Sequence, residues 1–221
     1  MSAFHNNLSY YLENGSIGHT YLDKVKSYLS SETDPTIEDL ISFSDMLGLS
    51  VDILLRKDVS KLLNMVNTSD LKLLVVDVDG VMTDGGMYYT ESGDEFKKFH
   101  TRDGVALRRL TRSGFEVAII SSGFNKKLIQ RRADLLGIKH VHVGDVPKIK
   151  TLEDILATLN LTMQNVAYVG DDLNDKEAME KVGLSACPAD AEEPIKEMVD
   201  FILRRKGGEG CIREFVDLFL S

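Results

Sequence analysis

Two aspartates, Asp77 and Asp79, lie two residues apart in the stretch LKLLVVDVDGVMTD, which spans residues 71–84. The apolar run before them is typical of a strand buried on both faces, as in a parallel sheet. If the chain stays extended, this spacing places both carboxylates on one side. Like charges so close repel each other and favour a bound cation. Taken alone, a solvated acidic turn explains the pair equally well.

Three more predicted strands end in polar residues. They cover residues 115–120, 140–143 and 165–169, and they lead to Ser121, Lys148 and Asp171, respectively. Because the carboxyl ends of parallel strands meet at one edge of an α/β sheet, we expect these side chains to converge there. Lys150 competes with Lys148, which we prefer because it opens the next predicted helix. Ser121 is preferred to Ser122 because it is the first polar residue after its strand.

Strands that alternate with helices predict an α/β fold, with a Rossmann-like parallel sheet and helices on both faces. Two β-prone runs flank residues 91–94, which predicts a β-hairpin flap. Residues 1–68 differ from the rest and predict a small all-α module that precedes the domain of residues 69–221. Its helix signals are Asp34-Pro35 as a start, Gly48 as an end and Ser50 as the cap of a last short helix.

The N-terminal module has few features of a DNA-binding domain. Residues 34–58 resemble the closing helices of a repressor-type helix-turn-helix. Helical spacing predicts a core face formed by Ile37, Leu40, Ile41 and Leu47. However, residues 1–70 contain five basic and ten acidic residues, whereas a DNA-reading helix needs cationic and amide side chains. We therefore prefer a packing or oligomerisation module.

The composition is that of an ordinary globular protein. The 221 residues are 43% hydrophobic and 28% charged, and the formal net charge of −9 disfavours binding to nucleic acid or anionic membranes. There is no apolar run of about 20 residues and no signal-peptide pattern, so we expect a cytoplasmic protein without a membrane contact. Two cysteines, Cys187 and Cys211, do not make a disulfide framework.

The motifs DVDGVMTD and GDDLND, together with Ser121 and Lys148 between them, resemble the four signature motifs of the haloacid dehalogenase superfamily of phosphatases. The resemblance implies that Asp77 attacks phosphorus and that Asp79 acts as general acid and base. It implies that Lys148 and Ser121 hold the phosphoryl oxygens. It also implies a Mg²⁺ ion held by Asp77, Asp171 and the backbone carbonyl of Asp79.

Between Asp84 and Arg102 there is room only for a hairpin, which resembles the capless class of this superfamily. FHTRDG, VGLSACPADA and GGEGCIRE resemble phosphatases of 3-deoxy-D-manno-octulosonate 8-phosphate, and their relatives that act on nine-carbon sialic-type 9-phosphates. This implies a sugar-phosphate substrate, a homotetramer, a role in lipopolysaccharide biosynthesis and a glycine-rich tail over the site. The implied substrate-binding residues are Arg102, Asp103, Ser122 and Gly123.

Two positions depart from the octulosonate branch. Phe124 and Glu209 stand where those enzymes tend to have arginine, so two charges that could meet a sugar acid are missing. Nine-carbon sialic-type 9-phosphates therefore remain an alternative substrate class. A non-catalytic assembly module and a DNA-binding regulator are weaker alternatives, because the catalytic motifs are intact and the N-terminal module is acidic.

Overall fold

The computed structural model describes residues 2–13, 15, 17–47, 51–56 and 68–220. The chain divides into two compact units, Met1–Asn67 and Thr68–Ser221. Among the described residues, no helix combines the length and the apolar character needed to cross a membrane.

The described part of the first unit is helical. Its α-helices are α1 (Ala3–Glu13), α2 (Leu22–Leu29), α3 (Ile37–Leu47) and α4 (Val51–Arg56), and a short 3₁₀ turn at His19–Tyr21 leads into α2. The core of this unit includes Phe4, Leu8, Val25, Phe43 and Leu54. The predicted helix end at Gly48 and cap at Ser50 lie outside the described residues.

The predicted core face of α3 is wrong in part. Ile37 is 76% exposed and Ile41 is 50% exposed, whereas Phe43 and Leu47 are buried. Asp39 lies on the buried face, and its carboxylate accepts hydrogen bonds from Lys24 at 2.7 Å and Tyr28 at 2.8 Å. Several donors thus satisfy Asp39, and they hold its pKa well below the usual range. Helical periodicity alone did not show that the buried face of α3 carries Asp39 and Phe43, whereas Ile37 and Ile41 lie on an exposed face.

The second unit is built on a parallel sheet of six strands. The strands are β1 (Leu73–Val76), β4 (Glu116–Ser121), β5 (His140–Val143), β6 (Val166–Val169), β7 (Leu184–Cys187) and β8 (Phe201–Ile202), in the order β5-β4-β1-β6-β7-β8. The hairpin strands β2 (Tyr88–Tyr89) and β3 (Glu95–Phe96) pair antiparallel. The α/β class and the flap are confirmed, and β7 and β8 extend the four predicted strands.

Helices connect the strands of this sheet, and one more helix follows the last strand. They are α5 (Thr101–Arg112), α6 (Lys126–Leu136), α7 (Lys148–Leu159), α8 (Leu173–Met179), α9 (Glu193–Lys196) and α10 (Cys211–Phe219). All four residues of β1 are buried, as expected for a strand covered on both faces. On one face, Leu73 and Val75 share a hydrophobic cluster with Leu152 and Ile155 of α7. Cys187 and Cys211 are buried and are not joined in a disulfide.

The register of the sheet brings the polar strand ends together. β1 lies between β4 and β6, and Val76 pairs with both Ile119 and Val169. The backbone N–H of Asp77 donates to the carbonyl of Val169 at 3.1 Å. Residues just beyond these three pairing positions therefore emerge side by side at one edge.

Candidate active site

A buried ion pair joins the end of β1 to the start of α7. The Lys148 ammonium lies 2.8 Å from Asp77 Oδ1 and 2.6 Å from Asp175 Oδ1, and neither Lys148 nor Asp77 has more than 7% of its side chain exposed. Burial lowers the pKa of Lys148, but the two carboxylates outweigh it and the pKa lies above its usual value. Lys150 is exposed and pairs with Asp154 at 2.7 Å, so of the two lysines it is Lys148 that joins this ion pair.

Asp175 is fully buried, and hydrogen-bond donors occupy both of its carboxylate oxygens. Oδ1 accepts from the Tyr168 hydroxyl at 2.7 Å and from Lys148, and Oδ2 accepts from the backbone N–H groups of Asp171 and Asp172 at 3.3 and 3.5 Å. A carboxylate with these partners orients Lys148 and the GDD loop, and it has little capacity left to bind a metal.

Asp77 and Asp171 fit a divalent cation. Each offers a carboxylate oxygen, and these two oxygens and one of Asp175 lie within 4.8 Å of one another. Asp171 Oδ1 is buried without a hydrogen-bond partner. Burial, together with repulsion between the acids, raises the pKa of Asp77 to about 7 and that of Asp171 to about 8. A hard cation with oxygen ligands, such as Mg²⁺, would satisfy the orphaned oxygen and relieve this repulsion.

Gly80 makes the close approach of these loops possible. Its φ of +87° is left-handed, and a Cβ built there would lie only 2.5 Å from Cγ of Asp171 and 2.9 Å from its Oδ1. The second Asp of the DxD motif, Asp79, is 37% exposed at its side chain, and its carboxylate pairs with Lys97 at 2.6 Å. The two acids of the motif thus have different environments, because Asp77 is buried against Lys148 and Asp79 borders open space.

The strand ends open into a cavity of about 820 Å³. Its lining includes most of the predicted site: Asp77, Asp79, Ser121, Ser122, Gly123 and Asp171. Ser121 is 2% exposed and its hydroxyl accepts from the backbone N–H of Gly123 at 3.1 Å. Lys148 is not among the lining residues, so a direct contact between it and a phosphoryl group stays a prediction.

Comparison with known proteins supports the reading of these motifs. A family model described as haloacid dehalogenase-like hydrolase matches residues 136–214. The chain is 44% identical over 156 residues to the 3-deoxy-D-manno-octulosonate 8-phosphate phosphatase KdsC of Escherichia coli strain B / BL21-DE3, a match that covers 71% of this chain and 82% of the relative.

The chain belongs to the haloacid dehalogenase-like hydrolases.

Solved structures of the family have the same fold. The 3-deoxy-D-manno-octulosonate 8-phosphate phosphatase of Yersinia pestis superposes with a TM-score of 0.67 at 42% identity, over 69% of this chain and 82% of that one. The corresponding enzyme of Moraxella catarrhalis, in complex with magnesium, phosphate and KDO, superposes with a TM-score of 0.68 at 33% identity, over 72% of this chain and 91% of that one.

Two residues that the family resemblance implied for substrate binding do not line this cavity. Neither Arg102 nor Asp103 is among the residues that line the cavity. Asp103 is 2% exposed, and its Oδ1 accepts from the backbone N–H of Arg213 at 2.7 Å, at the start of α10. Asp103 therefore anchors α10. A contact of Arg102 or Asp103 with the substrate stays a prediction.

The glycine-rich tail is packed against the loop that follows β1. The N–H of Gly208 donates to the carbonyl of Val81 at 3.0 Å, and a Cβ on Gly207 would lie 2.5 Å from the backbone carbon of Gly80. Only glycine permits this approach, because the tail rests directly on backbone.

Sequence reasoning missed several residues of the cavity wall. They are Met87, Tyr89, Glu95 and Lys97 of the hairpin region, Asn125, Lys126 and Lys127 at the start of α6, and Asn174 of α8. Asn174 donates to the Ser122 hydroxyl at 3.2 Å and so joins the GDDLND motif to the β4 loop. For Lys97 a signal was present, since period-two alternation after β3 turns it to the opposite side from Lys98.

Proposed function

We propose that this protein is a Mg²⁺-dependent phosphatase of a phosphorylated keto sugar acid. The observation that carries the proposal is the convergence of Asp77, Asp79, Ser121 and Asp171 on one cavity, with Lys148 paired to Asp77. A carboxylate nucleophile, a second carboxylate for proton transfer and donors for phosphoryl oxygens are the groups that phosphate-ester hydrolysis through an aspartyl phosphate requires.

The reaction has two steps. An Asp77 oxygen forms a bond to phosphorus while the bond from phosphorus to the sugar oxygen breaks, and Asp79 gives its proton to the departing oxygen. Asp79 then takes a proton from water, whose oxygen attacks phosphorus as the bond to Asp77 breaks. Ser121 and Lys148 stabilise the charge on the phosphoryl oxygens. Mg²⁺, held by Asp77, Asp171 and the backbone carbonyl of Asp79, would supply charge neutralisation.

The relatives indicate the substrate. Those that the chain matches at 43–44% identity are named as phosphatases of 3-deoxy-D-manno-octulosonate 8-phosphate, which we propose as the substrate. Phe124 is 87% exposed at the cavity wall, and Glu209 is exposed. Both stand where the octulosonate branch tends to have arginine, which supports nine-carbon 9-phosphates as the second candidate.

Phosphate release from a panel of sugar phosphates tests the proposal. The panel contains octulosonate 8-phosphate, nine-carbon keto acid 9-phosphates and hexose phosphates, each with Mg²⁺ and with a chelator. We expect Mg²⁺-dependent release with a preference for one keto acid. Release from none of them by folded protein would refute the proposal and favour an assembly or regulatory role.

We further propose a cytoplasmic homotetramer that serves lipopolysaccharide biosynthesis. The hairpin exposes Met87, Tyr89 and Phe96, at 63%, 57% and 51%, which supports an interface formed by the flap. Light scattering would measure the mass directly, and a monomer at micromolar concentration would contradict the assembly. For the N-terminal helical module we propose packing or oligomerisation, and salt-sensitive retention on heparin would instead indicate nucleic-acid binding.

A further inference from the structure

A lysine with a largely buried side chain links the hairpin flap to Asp79. Lys97 directly follows β3, and its side chain is only 4% exposed. Its ammonium lies 2.6 Å from Asp79 Oδ1 and 2.9 Å from a carboxylate oxygen of Glu95. An ammonium withdrawn from water needs such partners, and two carboxylates supply them.

The neighbouring lysine shows that this placement is specific. Lys98 has 64% of its side chain exposed and pairs with Asp84 at 3.3 Å. Since successive residues of an extended chain point to opposite sides, Lys97 faces the cavity and Lys98 faces away from it. The two lysines therefore form a matched pair for comparison.

The two oxygens of Asp79 have different surroundings. Oδ1 accepts from Lys97 and lies 3.3 Å from the Thr83 hydroxyl, which is a second donor. Oδ2 lies toward the β4 loop, where a Cβ built on Gly123 would be 3.4 Å away. Because a lysine ammonium only donates, this contact holds Oδ1 as an acceptor and leaves Oδ2 as the oxygen free to exchange a proton with the substrate. This is the oxygen that faces the Ser121–Gly123 loop in the cavity.

We propose that Lys97 is a positioning residue, which holds Oδ1 of Asp79 so that Oδ2 presents its proton to the leaving group. The proposal rests on the proposed function and adds a role for the hairpin flap in catalysis. The hairpin brings the cation that orients the general acid, and Glu95 holds that cation from the β3 side. In the first step the Oδ2 proton moves to the departing sugar oxygen while Asp77 bonds to phosphorus.

Two substrates separate this role from a merely structural one. A sugar alkoxide needs a proton to leave, whereas p-nitrophenolate leaves without one. The experiment compares the wild type with Lys97→Met, Lys97→Gln and Lys98→Met in the full-length protein. It measures kcat and KM for octulosonate 8-phosphate and the first-turnover release of p-nitrophenol from p-nitrophenyl phosphate, with Mg²⁺ present.

We expect Lys97→Met to lower kcat on the sugar phosphate by about 100-fold or more, as for loss of general acid catalysis, with KM little changed. First-turnover release of p-nitrophenol should fall by less than about 10-fold, since this step needs no general acid. Lys97→Gln, whose amide can still donate to Oδ1, should recover part of the lost kcat. Lys98→Met should match the wild type.

Equal losses on both substrates, a rise in KM with kcat unchanged, or wild-type kinetics of Lys97→Met would each overturn the proposal. Thermal unfolding checks that the variants are folded. If Lys97→Met does not fold, Lys97→Gln carries the comparison: a smaller loss of kcat is then expected, still greater on the sugar phosphate than on p-nitrophenyl phosphate, and equal losses would overturn the proposal. A wild type that releases nothing from either substrate would refute the proposed function itself, which is a distinguishable result.

Discussion

Replacing Gly80 by alanine tests how closely the loop that follows β1 must approach Asp171. Gly80 has a φ of +87°, and its added Cβ would lie 2.5 Å from Asp171 Cγ. Gly114, in the turn before β4, has nearly the same φ of +85°, and no atom lies within 4 Å of its added Cβ. Gly114→Ala therefore carries the backbone strain alone, and Gly80→Ala carries the same strain plus the clash.

The backbone strain and the clash affect different properties of the protein. A left-handed backbone costs an alanine about 1–2 kcal/mol, so both variants should lose this much free energy of unfolding. At Gly80 the carboxylate of Asp171 must also move, and this carboxylate is a proposed Mg²⁺ ligand. Disturbing the residues around a metal site typically lowers metal affinity or activity by about 10–100-fold. We therefore expect kcat/KM to fall by about 100-fold, equivalent to about 2.7 kcal/mol.

The assay combines urea unfolding with phosphate release over a Mg²⁺ titration. We expect Gly114→Ala to lose stability and keep its activity at saturating Mg²⁺. Gly80→Ala should lose activity and require more Mg²⁺ for half-maximal rate. If Gly80→Ala keeps both kcat/KM and its Mg²⁺ requirement as Gly114→Ala does, the proposed role of Asp171 and the reason for glycine at this position are wrong.

Three further outcomes are expected. Tyr168→Phe removes a 2.7 Å hydrogen bond to buried Asp175 and should lower the free energy of unfolding, measured in urea, by about 1–3 kcal/mol. Tyr89→Phe, at an exposed site, should change this free energy little, and equal effects of the two substitutions would contradict the prediction. Asp77→Asn should abolish phosphate release, and a purified variant with the wild-type rate would refute the nucleophile assignment. Burial raises the pKa of Asp77 to about 7 and that of Asp171 to about 8, from 3.8, so the folded metal-free protein holds protons that the unfolded chain releases. This stabilisation is complete below about pH 3.8 and is lost as the pH rises through 7 to 8. In chelator, the melting temperature should therefore fall between pH 5 and pH 8, and the increase in melting temperature on adding Mg²⁺ should become larger over the same range. An increase that stays constant with pH would contradict this prediction.

The sequence by itself determined the class of fold and which residues converge at one edge of its sheet. Unbroken apolar runs such as residues 71–76 predict buried parallel strands, since no face of the strand is left for water. Once the sheet is parallel, the chain order alone sends Asp77, Ser121 and Asp171 to its carboxyl edge. For these residues, local pattern and global topology agree, so the sequence was sufficient to predict that they converge.

Only the tertiary structure decided which side chains act on one another. Lys148 and Asp175 are 27 residues apart, and Lys97 and Asp79 are 18 apart, so no local spacing could pair them. Likewise, helical periodicity suggested Ile37 and Ile41 for a core that in fact centres on Phe43, because which stripe of a helix is covered depends on its neighbours. Short strands such as β8 were missed for a similar reason, since two residues carry no periodicity and only pairing with β7 makes them a strand. Contacts distant in the sequence thus determine how each group is oriented and charged, because burial and partners are properties of the packed molecule.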